Sequence, residues 1–231
     1  MARNIVAGNW KMNMLLDEAR NLFGEVVKGS EDVSCELIVC PPALYLNEFA
    51  DAKSKLKIGA QNVAKFEKGA YTGEWSSAML NSINVNYGIV GHSERRSLFG
   101  ESDEDVNEKT RLLLSQGIQP IVCCGETLDQ RERGKEKEVI KDQLDKALEG
   151  IDADQASQIV VAYEPVWAIG TGVTASAEQA QEMHAFIRGV LLNKYASVAN
   201  EIPLLYGGSC KPTNAKELFA CKDIDGGLIG G

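Results

Sequence analysis

Only two histidines, His92 and His184, occur in 231 residues, and none of the six cysteines belongs to a C-x-x-C pair. That leaves too few soft ligands for a zinc site. A disulfide framework is also excluded, because the chain is far larger than the small secreted scaffolds that depend on one. No apolar run approaches the ~18 residues that would span a bilayer. Met1-Ala2-Arg3-Asn4 leads straight into a strand with no secretory core, so the expectation is a cytoplasmic protein with reduced thiols and no membrane partner. Surplus positive charge is missing as well. A net charge of −9 gives no footprint for nucleic acid, and any anionic ligand must be held by local donors against that background. Low-complexity segments and linkers are absent. What remains is an ordinary globular composition, 44% hydrophobic and 25% charged, at a length that suits one domain over residues 1–231.

The most informative stretch runs from Ile159 to Gly172. Ile159-Val160-Val161-Ala162-Tyr163 reads as a buried strand, and a single carboxylate, Glu164, stands at its C-terminal end. Pro165 ends the strand, since it has no N–H and restricts the residue before it. Apolar residues and two glycines, Gly170 and Gly172, follow; on this stretch alone they read equally as a cover with hinges or as an ordinary strand-to-helix turn beside a solvated Glu164. Ser176 and Gln179 then open a helix with a capping box.

The same alternation holds along the chain. Short apolar strands are expected at 5–8, 36–40, 56–61, 87–91, 120–124, 159–163, 203–206 and 226–229. Helices are expected between them, at about 15–27, 43–52, 77–81, 104–115 and 213–220, with a further helix beginning near Ser93. Apolar stripes mark two more: Ile140, Leu144, Ala147 and Leu148 on one, Met183, Phe186, Ile187, Val190 and Leu191 on the next. Strands of this kind joined by helices imply a parallel sheet, and eight units imply a closed (β/α)8 barrel. An open doubly wound sheet is disfavoured, because no Gly-rich dinucleotide fingerprint follows the first strand.

Polar groups gather after particular strands: Asn9 and Lys11 after the first, His92 after the fourth, Glu164 after the sixth. Gly207-Gly208-Ser209 follows the seventh strand and Gly230-Gly231 the eighth. In a barrel these positions share the C-terminal face, where barrel enzymes place their chemistry. Backbone N–H groups at such glycines suit phosphate. A carboxylate, an imidazole and a cation beside an anion cradle suit proton abstraction next to a carbonyl. Taken singly, Lys11 reads as a solvated charge, His92 as a core residue and the Gly pairs as turns; it is their convergence on one face that argues for a site.

Asn9-Trp10-Lys11-Met12-Asn13, Gly91 to Arg96, Tyr163 to Gly172 and Tyr206 to Ser209 resemble the signature blocks of the triosephosphate isomerase family, and the resemblance runs from residue 4 to the last residue. It implies a TIM barrel acting in glycolysis and gluconeogenesis on dihydroxyacetone phosphate and D-glyceraldehyde 3-phosphate, with no cofactor and no metal. By matching position, Glu164 would be the base, His92 a neutral electrophile facing a helix N-terminus, Lys11 an electrostatic stabiliser and Asn9 a holder of the oxyanion. Gly170, Ser209, Gly230 and Gly231 would bind phosphate, and the segment from Pro165 to Thr174 would be a lid. The long loop 62–74 would enter a partner subunit and place Thr72, with Glu74 nearby, beside that subunit's catalytic face, giving a homodimer.

Two departures from the family stand out. Trp75 replaces a smaller aliphatic residue. The family also continues past Gly231, to ~250 residues, so the barrel is expected to lack its last helix. A carboxylate at Gly231 would then repel a phosphate dianion by about 4 kcal/mol at ~4 Å and an effective dielectric of ~20. The alternative that follows is a folded but catalytically impaired barrel serving as a binding or scaffold protein. Other phosphate-binding barrels fit less well: an aldolase needs a desolvated lysine, and a sugar-phosphate epimerase a set of metal ligands.

Overall fold

The computed structural model describes residues 2–52, 54–169 and 174–230. Eight strands form one closed, parallel barrel in sequence order. They are β1 (Ile5–Asn9), β2 (Glu36–Cys40), β3 (Lys57–Ala60), β4 (Tyr87–Val90), β5 (Gln119–Cys124), β6 (Val160–Tyr163), β7 (Leu204–Tyr206) and β8 (Gly226–Gly230). Pairing of β1 with β8, from Ile5 opposite Gly226 to Asn9 opposite Gly230, closes the sheet.

Side chains alternate across each strand, so each strand feeds two cores. Ile5, Ala7, Ile38, Cys40, Tyr87, Ile89, Ile121, Cys123, Val160, Ala162, Leu205 and Leu228 fill the barrel interior. Their neighbours Val39, Val90, Val122, Val161, Tyr163, Leu204 and Tyr206 point outward into the layer beneath the helices. That inward parity carries past the strand ends: Glu164 continues the series of Val160 and Ala162, and Gly207 that of Leu205. At the opposite mouth Arg3 donates to Glu36 at 3.0 Å and to Gln119 at 2.6 Å, and Tyr87 donates to Glu36. These bonds close the N-terminal end of the barrel.

The helices start where capping chemistry places them. The side chains of Ser102, Thr127, Asp152 and Ser176 each accept from the backbone N–H three residues on, and their own backbone N–H groups donate to that residue's side chain. The expected helix at 104–115 is Asp103–Ser115, and the Ser176 box opens Ala177–Tyr195. Two short helices, Leu128–Glu132 and Ala153–Ala156, were not expected, because one turn leaves no apolar periodicity to read. The expected helix 213–220 shrinks to Ala215–Leu218, since the Asn214 side chain accepts from the Lys211 N–H at 2.7 Å and holds a turn there. Residues 43–52 begin as a 3₁₀ turn, Ala43–Tyr45, before the helix Leu46–Ala50. No helix follows β8 among the described residues, and none of those described is long and apolar enough to cross a membrane.

Ala177–Tyr195 is not a purely apolar stripe. His184 and Arg188 are buried beside Met183 and Ile187. Arg188 donates to the carbonyls of Ala199 and Ile202 and to Asp225 at 2.7 Å. Asp225 also accepts from Leu204 N–H at 2.9 Å, so this pair ties the helix to β7. His184 Nδ1 lies 3.2 Å from the Asp223 carbonyl, and its Nε2 has no hydrogen-bond partner among the described residues. Burial pushes this imidazole down to about 4.

The consequence is that this group destabilises the fold in acid. Below the unfolded value near 6.5 the unfolded chain takes up a proton that the native imidazole refuses until about pH 4. The penalty from this group is therefore absent above pH ~6.5 and grows between ~6.5 and ~4, to about 3 kcal/mol. Urea unfolding at stepped pH should show that acid limb, and His184→Gln should flatten it.

Candidate active site

A cavity of about 450 Å³ opens at the C-terminal face of the barrel. Asn9, Lys11, His92, Glu164, Ser209 and Gly230 all line it, together with Ser93, Glu94, Gly207 and Gly208. The expected groups from strands one, four, six, seven and eight are thus brought to one place. Gly170, Gly231, and the Gly170–Val173 part of the expected lid lie outside the described residues. Thr72 and Glu74 sit exposed on the 62–74 loop and do not line this cavity.

Glu164 is 1% exposed, immediately after β6. Oε1 accepts from Ser93 Oγ at 2.8 Å and stands 3.1 Å from His92 Nε2; Oε2 accepts from the Ser93 backbone N–H at 2.9 Å. A buried carboxylate needs such donors, because an unpaired charge away from water is costly. Ser93 was not singled out from sequence. Its position one residue after His92, at the first turn of a helix, is the signal that was available.

His92 caps the helix Ser93–Phe99, and the Glu94 N–H donates to its Nδ1 at 3.3 Å. A ring nitrogen facing a backbone N–H must be the acceptor. The ring hydrogen therefore belongs on Nε2, the nitrogen that faces Glu164 and the cavity. An imidazole in this tautomer can donate to an oxygen inside the cavity.

Lys11 adopts φ +54°, a left-handed conformation unusual for a side-chain-bearing residue and worth roughly 1–3 kcal/mol of strain. Neighbouring polar groups hold it there. Asn9 Oδ1 accepts the Lys11 N–H at 3.0 Å, and Gln61 Nε2 donates to the carbonyls of Lys11 and Cys40, both at 2.9 Å. Lys11 Nζ meets Glu94 Oε1 at 2.6 Å. Gln61 is a supporting residue that sequence reading missed, since nothing in an isolated amide marks what it will hold.

Close approach requires glycine at positions 207 and 208, whereas at Gly230 the near neighbour is the flexible end of Lys11. A Cβ on Gly207 would stand 2.9 Å from Glu164 Cγ and 3.1 Å from the Tyr163 carbonyl. One on Gly208 would stand 2.3 Å from the Tyr206 hydroxyl, and one on Gly230 2.8 Å from Lys11 Cε. Trp75, the departure noted above, donates from its indole to the Asn62 carbonyl at 2.8 Å and closes the base of the 62–74 loop, along with Ala64 N–H to the Trp75 carbonyl at 2.9 Å.

Comparison with known proteins gives a family match over nearly the whole chain. The family model described as triosephosphate isomerase matches residues 4–231. The chain is 51% identical over 236 residues to the triosephosphate isomerase of Cytophaga hutchinsonii, covering 100% of this chain and 94% of the relative. It is 51% identical over 237 residues to that of Bacteroides fragilis and 52% over 233 residues to that of Herminiimonas arsenicoxydans, with the same coverage.

Gly207→Ala tests the packing around the carboxylate. The added methyl should cost about 1–3 kcal/mol in urea unfolding and displace Glu164 from Ser93 in a crystal structure. An unchanged midpoint with Glu164 still on Ser93 would contradict the close packing described.

Proposed function

This chain belongs to the triosephosphate isomerase family, and from that premise we propose that its cavity interconverts dihydroxyacetone phosphate and D-glyceraldehyde 3-phosphate through Glu164, His92, Lys11 and Asn9. Glu164 is the base that moves a proton between the two carbons. His92 donates from Nε2 to the carbonyl oxygens, and Lys11 and Asn9 stabilise the enediolate oxyanion. The observation that carries this reading is the 3.1 Å approach of His92 Nε2 to Glu164 Oε1 in a cavity that also holds Lys11. Both carboxylate oxygens accept from Ser93 here, so acting on a substrate carbon requires the Glu164 side chain to rotate off Ser93.

The phosphate binds in the same cavity. Ser209 and Gly230 line it, and the resemblance adds Gly170 and Gly231. Lys11 is the cation for this group, so phosphate binding competes with its pairing to Glu94. One domain spanning 1–231 carries all of these parts. A cytoplasmic setting fits six cysteines that are all free thiols.

A homodimer completes the proposal. A second cavity of about 220 Å³ adjoins the first, lined by Met12, Trp75 and Phe99 beside Lys11 and His92. Met12 is 96% exposed and Leu44 88%, with Leu98 and Phe99 also exposed. Apolar side chains so placed favour cover by another chain. The 62–74 loop of a second copy, with Thr72 and Glu74, is that cover.

Two measurements test this. In a coupled assay with glyceraldehyde 3-phosphate the full chain should be active, and Glu164→Gln should lower kcat by about 10²–10⁴-fold. A stable, folded chain with no activity would instead point to the scaffold role. In analytical ultracentrifugation the chain should sediment as a dimer at micromolar concentration, and Phe99→Asp should shift it to monomer with loss of activity. A fully active monomer would overturn the dimer.

A further inference from the structure

The helix Ser93–Phe99 carries both the N–H that faces His92 and the serine that holds Glu164, yet packing does little to register it. Of its seven residues only Ser93 is buried, while Leu98 and Phe99 are exposed. Polar ties hold it instead. Arg96, with its side chain 17% exposed, donates from Nε to the Gly91 carbonyl at 2.7 Å, from Nη1 to Asp103 at 2.5 Å and from Nη2 to the Cys123 carbonyl at 3.2 Å.

Those two carbonyls matter for the site. Gly91 immediately precedes His92. Cys123 lies on β5, and the next carbonyl along, that of Cys124, accepts the Glu164 N–H at 2.8 Å. One guanidinium therefore spans from the peptide before the imidazole to the strand that holds the carboxylate. Gly91 is shaped around it: φ is +70°, and a Cβ would stand 2.9 Å from Arg96 Nη2 and 2.8 Å from Val106. The other side of the same residue is held too, since Gly91 N–H donates to Glu101 at 2.9 Å. Arg96 does not line the catalytic cavity. It borders a cavity of about 230 Å³ behind the helix, which Glu164 also lines.

We propose that Arg96 is a positioning residue for the isomerisation: its guanidinium sets the Ser93–Phe99 helix against β4 and β5 and so fixes His92 relative to Glu164. The proposal rests on the roles given above to those two residues. Lysine cannot substitute, because one ammonium cannot reach three separated acceptors as a planar fork does. A small misplacement of the imidazole is expensive, since about 1 Å can cost on the order of 10²-fold in rate.

The test compares Arg96→Lys and Arg96→Ala with the unaltered chain, by kinetics and by ¹⁵N NMR of the imidazoles. With only two histidines, His184 is an internal control for the fold. Both variants should lower kcat, the alanine by about 10²-fold, with KM changed by less than about threefold. The His92 nitrogen resonances should move while those of His184 stay in place, and millimolar guanidinium should restore part of kcat in Arg96→Ala alone. Retained kcat in either variant, a fall in kcat with His92 unmoved, or His184 shifting alongside His92 would each overturn the proposal. Absence of isomerase activity in the unaltered chain would instead refute the catalytic reading of His92 and Glu164, while the NMR comparison would still decide whether Arg96 places the ring.

Discussion

The pairing of β1 with β8 is the constraint on which the site depends. Parallel pairing sends every strand in the same direction, and closure bends their eight C-terminal ends into one rim. Asn9 lies opposite Gly230 in that last ladder, and the end of the Lys11 side chain lies against Gly230. A break in this register would separate Asn9 and Lys11 from the glycines of β7 and β8, and the cavity would lose a wall.

At the rim the structure trades apolar packing for polar bonds. Below it, the barrel interior is filled mostly with aliphatic and small side chains, and the hydroxyl of Tyr87 finds its partner, Glu36, at the opposite mouth. One step above, Glu164 is equally buried but charged, and two bonds from Ser93 compensate its lost hydration. Lys11 is held in a left-handed conformation by Asn9 and Gln61. Strain and buried charge of this kind persist only where surrounding bonds over-determine them, and at this rim Lys11 and Glu164 each have such bonds.

Much of the fold was legible because its signals are local. β-branched runs bounded by proline or glycine mark the strands, and Ser176 with Gln179 marks a helix start. Six of the eight site residues expected from sequence line one cavity; Gly170 and Gly231 lie outside the described residues. The supporting residues were not legible. Ser93, Gln61 and Arg96 look like ordinary surface polar residues until the barrel closes, since each acts on a partner distant in the chain: Ser93 on Glu164, Gln61 on Lys11, Arg96 on Cys123. His184 and Arg188 were hidden for a related reason, since an apolar stripe does not reveal that its flanking polar residues also turn inward.

The sequence by itself determined which segments become strands, where each ends to within a residue, and which reactive side chains stand at or just beyond those ends, because chain stiffness, capping and proline act over a few residues. Only the tertiary structure decided that Glu164 points inward rather than out, that His92 carries its hydrogen on Nε2, and that Lys11 meets Glu94. Those outcomes follow from strand parity, a helix N-terminus and a buried charge finding its donors, all of which exist only once the barrel has closed.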